Sequence, residues 1–169
     1  MLSTVSLALS LSLSLAAAPA GTSDASFCKP PESPIFSCDL GKKRVSVCAS
    51  DRLVTYRYGT VGKAVPEMQI SSNGADGRVH SDFVVGGGGG QQTSLRFSNG
   101  DTHYIVFSGY AGSLTERPGK KWSGLDVLNG STSMNNRQCG PGKLLPLDSS
   151  AIPTFVPAEE ENSPFSGWR

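Results

Sequence analysis

The chain has 169 residues, with fifteen Lys and Arg against fourteen Asp and Glu, so its formal net charge is only +1. A balance that close provides no global field to draw nucleic acid or an anionic membrane, and no nucleic-acid partner is expected. Twenty Gly and eleven Pro, with little helical periodicity, argue against a helical bundle and suit short strands joined by turns.

Residues 1–20 carry no charged side chain. Val5 to Leu15 is an apolar and serine mixture, and Ala18 and Ala20 fit a small-x-small cleavage site, so 1–20 reads as a signal peptide cut after Ala20. The apolar run is too short and Ser-rich to cross a bilayer core of roughly 30 Å. A periplasmic or secreted product follows, with no transmembrane segment after processing. Ala25-Ser26-Phe27 before Cys28 does not suit a lipoprotein site. All four cysteines, Cys28, Cys38, Cys48 and Cys139, follow the leader, and an even count in an exported chain implies two disulfides with three possible connectivities.

Residues 21–34 read as an extended lead-in pinned by Cys28. Ile35 to Cys38 and Arg44 to Cys48 alternate with period two around the turn-like Leu40-Gly41-Lys42-Lys43. Pairing Cys38 with Cys48 across that hairpin is the favoured connectivity, which leaves Cys28 to Cys139. The latter bridge would close a loop of over a hundred residues, worth on the order of 4–5 kcal/mol in the chain-entropy model. Leu53 to Tyr58 is the next strand. Val65 to Ile70 is a weaker one, since Pro66 confines it to an edge or a strand start. Residues 71–77 have loop composition, and 78–85 alternates again. Five glycines, Gly86 to Gly90, lead into the strongest hairpin signal, Leu95-Arg96-Phe97-Ser98-Asn99-Gly100 followed by Thr102 to Tyr110.

That hairpin admits two registers. A two-residue Asn99-Gly100 turn groups Leu95, Phe97, Tyr104 and Val106 on one face. A three-residue Ser98-Asn99-Gly100 loop groups Leu95 and Phe97 with His103, Ile105 and Phe107 instead. The second gathers more purely apolar side chains and is favoured; both sets are apolar enough to predict a strand buried on both faces. Beyond it, residues 109–121 form a polar loop ending in Arg117-Pro118-Gly119-Lys120-Lys121. Trp122 to Leu128 is a strand, and Asn129-Gly130 offers another turn back towards Cys139. From residue 141 to 169, five prolines and Glu159-Glu160-Glu161 describe an extended or disordered tail. The fold expected is all-β, an antiparallel barrel or sandwich of about eight or nine strands occupying 35–140.

Few residues point to chemistry. The glycine run lacks the Lys-Ser/Thr ending and the following helix of a phosphate loop, so it reads as a connection. His80 and His103 are the two histidines, and with the cysteines oxidised no metal-ligand spacing remains; neither metal nor cofactor is expected. Asp101 and His103 share a strand face while Ser108 points to the other, which disfavours a catalytic triad within this strand. Tyr56-Arg57-Tyr58 reads as two packed tyrosines flanking an outward Arg rather than a stacking platform. The basic turns Lys42-Lys43-Arg44 and Arg117 to Lys121 are solvated charges unless they converge, in which case Trp122 beside the second would be an apolar anchor.

The ordered set Phe36-Ser37-Cys38, Gly41-Lys42, Val45 to Cys48, Tyr56 to Gly59, a glycine-rich run, Leu95 to Phe97, Asn99-Gly100, Tyr104 to Ser108 and Cys139 resembles a family of small exported proteobacterial proteins with no assigned activity. A weaker similarity is to the bacterial C-type lysozyme inhibitors, exported eight-stranded barrels in which a Ser-Gly strand and a Lys-bearing loop enter the enzyme's acidic cleft. That resemblance implies roles in partner binding for Ser108, Gly109, Lys120, Lys121 and Trp122. The function expected is a non-enzymatic macromolecule-binding module of the bacterial envelope, its partner a protein or glycan. A small secreted hydrolase using His103 and a structural envelope role are the alternatives.

Overall fold

The computed structural model describes residues 25–169; the expected leader lies outside the described residues. The fold is all-β: two five-stranded antiparallel sheets stacked as a sandwich rather than closed as a barrel. Sheet I is a meander of β1 (Ser33–Leu40), β2 (Lys43–Ala49), β3 (Val54–Thr60) and β4 (Met68–Ser72). Sheet II is a second meander of β5 (Val79–Val85), β6 (Gln91–Asn99), β7 (Thr102–Tyr110), β8 (Lys121–Asn129) and β9 (Thr132–Gln138). The short β10 (Leu144–Leu145) returns to pair with the outer edge of β1.

Three hairpins share one turn chemistry. Leu40 pairs with Lys43, Asn99 with Thr102 and Asn129 with Thr132, each across a two-residue turn that begins with glycine. Gly41, Gly100 and Gly130 have φ of +75°, +58° and +54°, a region L side chains avoid, and glycine suits the first central position of a tight hairpin. The favoured three-residue loop at Ser98-Asn99-Gly100 is therefore corrected. Asn99 ends its strand and the turn is Gly100-Asp101, so Leu95 faces Val106 and Phe97 faces Tyr104. The inward set is the one expected from a two-residue turn, although the turn itself sits one residue later.

The same turn geometry overturns the expected disulfides. With Leu40 opposite Lys43, Cys38 lies opposite Val45, and Cys48 is three residues further along β2. Three residues is about 10 Å of strand, and an odd offset puts the two side chains on opposite faces of the sheet. Cys38 points inward and bonds Cys139, at the end of β9, whereas Cys48 points outward and bonds Cys28 of the lead-in. A β-bulge between Pro34 and Phe36 lets Ile35 and Phe36 both be buried.

The core between the sheets is Phe36, Cys38, Val45, Val47, Val54 and Tyr56 of sheet I against Val79, Leu95, Phe97, Val106 and Leu125 of sheet II. Tyr56 and Tyr58 turn inward and Arg57 outward, as the alternation predicts. Residues 141–169 do not leave the domain. Leu147 and Val156 complete the core, and residues beyond Pro157 cross the outer face of sheet II through two tight turns.

Both outer faces are thus covered by irregular straps. On sheet I, residues 25–32 lay Phe27 against Gly59, and the Phe27 N–H donates to Ser46 Oγ at 3.1 Å. Arg57 reaches from the sheet to Glu32 at 2.5 and 2.7 Å.

Two measurements check this architecture. Non-reducing peptide mapping is expected to recover Cys28 linked to Cys48 and Cys38 linked to Cys139. The second closes 101 residues and the first 20, so a Cys38→Ser/Cys139→Ser variant loses about 5 kcal/mol in denaturant unfolding, against about 3 for the other pair. The Tyr56 hydroxyl is buried with no hydrogen-bond partner among the described residues, and burial pushes its ionisation well above the ordinary tyrosine value. Tyr56→Phe removes a desolvated group that gains nothing, so it is expected to raise stability by about 1 kcal/mol in the same assay.

Candidate functional site

The two faces of sheet II differ in chemistry. On β6, Gln91, Thr93, Leu95 and Phe97 point inward, and Gln92, Ser94 and Arg96 point outward. The inward side is apolar where sheet I covers it and turns polar beyond that cover. There, cross-strand pairing sets one row of Phe83, Thr93, Ser108 and Ser123, and a second of Val85, Gln91, Tyr110 and Lys121. Of these, Gln91, Thr93, Ser108, Tyr110, Lys121 and Ser123 form one wall of a groove of about 840 Å³; the segment carrying Leu144, Pro146, Leu147 and Ser149 forms the other. A hollow of about 440 Å³ under Phe83 and Ile152 meets it at Thr93 and Ser149, which line both.

All five residues singled out from the sequence line this groove, but not in the same way. Ser108 is in the floor. Its Oγ accepts the Leu147 N–H at 2.8 Å and shares a hydrogen bond with Ser123 Oγ at 2.8 Å, so its hydroxyl is already committed. Gly109 allows a close approach: a Cβ there would come within 2.8 Å of both Gln91 O and the Trp122 ring. Trp122 lies mainly on the outer side, donating Nε1–H to Gln92 Oε1 at 3.0 Å and packing 5.8 Å from the Trp168 ring. Lys120 and Lys121 are exposed at the groove's rim. Of the first basic turn, Lys43 is paired with Glu67 and Arg44 with Asp39.

The glycine run is packed rather than loose. A Cβ on Gly86 would meet Trp168 at 2.7 Å, and one on Gly112 would meet Gly88 O at 1.9 Å. The run therefore seats the loop after β7 on one side and the Trp168 ring on the other.

His103 does not meet Ser108, which lies on the other face. It belongs to an outer-face cluster around Arg96. The Arg96 guanidinium donates to Glu159 at 2.5 and 3.1 Å, to Ser98 Oγ at 2.6 Å and to His80 Nδ1 at 2.9 Å. Ser98 Oγ, which accepts from Arg96, shares a hydrogen bond of 2.8 Å with His103 Nδ1. Phe165 covers both, its ring 4.3 Å from the Arg96 guanidinium and 4.3 Å from the imidazole. Among the described residues no group of His, Cys, Asp and Glu is arranged to hold a metal.

Sequence reasoning missed Gln91, Thr93, Tyr110 and Gln138 as groove residues, and Phe83 in the adjoining hollow. The signal was available: the inward positions of β6 and β7 change from apolar to polar towards one end, at Thr93 and Ser108, beyond Leu95 and Val106.

Burial, and after it the Arg96 charge, hold His103 below the usual histidine pKa, against smaller opposing effects of Asp101 and Glu159. The fold thus favours neutral His103, while the unfolded chain takes up that proton near pH 6.5. The contribution is complete above pH 6.5 and is lost as pH falls from there towards the depressed folded value. The urea midpoint is expected to drop between pH 7.5 and 5.5, above the carboxylate range, and His103→Asn to flatten that drop. No family model matches the chain, and no curated protein or solved structure is similar to it.

Proposed function

We propose that the protein is an exported, non-enzymatic binding module of the bacterial envelope that holds a macromolecule in the groove at the open end of its sandwich. The observation that carries this reading is the convergence of Ser108, Gly109, Lys120, Lys121 and Trp122 on the wall and rim of one groove. Two disulfides support an oxidising compartment. Among the described residues no helix is long and apolar enough to cross a membrane.

Membership of the family of small exported proteins remains part of this proposal, resting on the ordered motif set alone. A lysozyme-inhibitor-like mode rests on Lys120 and Lys121, since Ser108 lies buried in the floor and is engaged with Ser123 and Leu147.

The Ser98–His103 hydrogen bond favours a second reading, a hydrolase with His103 as base. The covering Phe165 and the hold of Arg96 on Ser98 fit better with a role in seating the strap.

The test is co-sedimentation with isolated envelope fragments, meaning peptidoglycan with its attached glycopolymers. Wild-type protein and the remote Met134→Ser variant are expected in the pellet. A Tyr110→Ala/Lys121→Gln variant is expected in the supernatant. Equal pelleting of all three would sink the groove as the binding site.

A further inference from the structure

Most buried and half-buried polar side chains elsewhere in sheet II are paired. Gln92 bonds Trp122, Gly167 and Arg169; Arg96 bonds four groups; Asp126 accepts from Ser133. The groove departs from this rule. Among the described residues, Gln91, Thr93, Tyr110, Lys121 and Gln138 make no side-chain hydrogen bond or ion pair, although Thr93 is only 5% exposed. Two amides, two hydroxyls and an ammonium therefore face one cavity with their hydrogen-bonding capacity intact. Thr93 is buried without a partner, and the more accessible groups around it offer a ligand both donors and acceptors on one wall.

The remaining lining narrows the class. Phe83 and Tyr110 are 50% and 37% exposed, so ring surface is open along the two rows. Open ring surface beside amides and hydroxyls suits the apolar faces and hydroxyl edges of sugar rings. The groove and the hollow that meets it under Phe83 together run across β5 to β8, at right angles to the strands, about 14 Å over four strands. A peptide laid in that direction meets side chains and no backbone ladder, so strand addition gives it nothing. Lys120 and Lys121 stand together at the β8 end, and Asp148, the carboxylate on the opposite wall, accepts from the Ser150 N–H and hydroxyl. The rim is therefore cationic at that end.

We infer that the groove binds an acidic glycan, with sugar rings against Phe83 and Tyr110, hydroxyls on Gln91, Thr93 and Gln138, and a carboxylate at Lys120 and Lys121. This rests on the groove being the binding site, and it names the ligand class of that site.

The experiment titrates the oxidised protein, by calorimetry and amide chemical shifts, with three probes. They are a uronic acid hexasaccharide, its carboxyl-reduced neutral counterpart and an oligoglutamate of similar charge. The uronate is expected to bind, with shifts at Gln91, Thr93 and Tyr110. The neutral sugar is expected to bind about tenfold more weakly, and Lys121→Gln to bring the two together, since a single well-placed charge contact is worth roughly one decade of affinity. Equal affinity for the neutral sugar overturns the acidic assignment. Binding of oligoglutamate in the groove, with no sugar bound, overturns the glycan class and leaves the groove as a binding site. If no probe shifts the groove and the envelope sedimentation is also insensitive to groove variants, both readings fall together.

Discussion

The constraint on which the structure depends is that both sheets are covered on both faces, although the outer face of each carries a buried arginine. The outer faces carry Arg57 and Arg96, whose side chains are 8% and 9% exposed. Each is matched by one carboxylate from an irregular segment: Glu32 for Arg57, and Glu159, 5% exposed, for Arg96. A buried ion pair adds little net stability, because desolvating both charges costs about as much as their attraction returns. Removing one partner, however, leaves an uncompensated charge. The pairs therefore act chiefly to fix where the straps lie, and apolar plugs do the sealing. Phe27 sits under one strap against Gly59; Phe165 and Trp168 sit under the other. Glu32 shows the same coupling from the acid side, its carboxyl held below the usual range first by its hydrogen bonds to Arg57.

The strand pattern was legible because it rests on period-two alternation, which survives uncertainty in every turn. The all-β class, the nine longer strands and the double burial of the central hairpin all follow from it. What was not legible depended on a single residue of register. Asn-Gly reads as a turn with both residues at its centre, yet here Asn99 and Asn129 end strands and glycine opens the turn. In the first hairpin the turn at Gly41-Lys42 sets Cys38 opposite Val45, three residues from Cys48 and on the other face from it, and that decided the disulfide connectivity. The packing of the C-terminal segment was not legible for a different reason. Its prolines and acids describe a chain that forms no regular structure, but composition does not say whether an extended chain has a surface to lie on. The sites for it were written elsewhere, in Gly86 and Arg96.

Trp122 marks the limit of reading a site from sequence. Beside two lysines it resembles an anchor for a partner, and the chain uses it as an anchor for itself, through Trp168 and Gln92. An exposed-looking aromatic next to basic residues carries no information about whether its partner is internal. Ser108 teaches the same lesson, because its hydroxyl stitches Ser123 to the returning segment at Leu147.

Gln91 and Gln92 separate the two roles of sheet II most sharply. They are the same amino acid at consecutive positions of one strand, so composition and propensity cannot distinguish them. The pleat sends them to opposite faces. Gln92 is 1% exposed and links Trp122, Gly167 and Arg169 beneath the strap. Gln91 faces the groove with its amide uncommitted. On the outer face Gln92, Arg96 and Asp126 are each matched, whereas at the open end of the inner face Gln91 and Thr93 have no protein partner among the described residues. The same fold thus holds one glutamine amide in a closed network and leaves its neighbour open to a cavity. That contrast, more than any motif, is the ground for proposing the groove as the working surface.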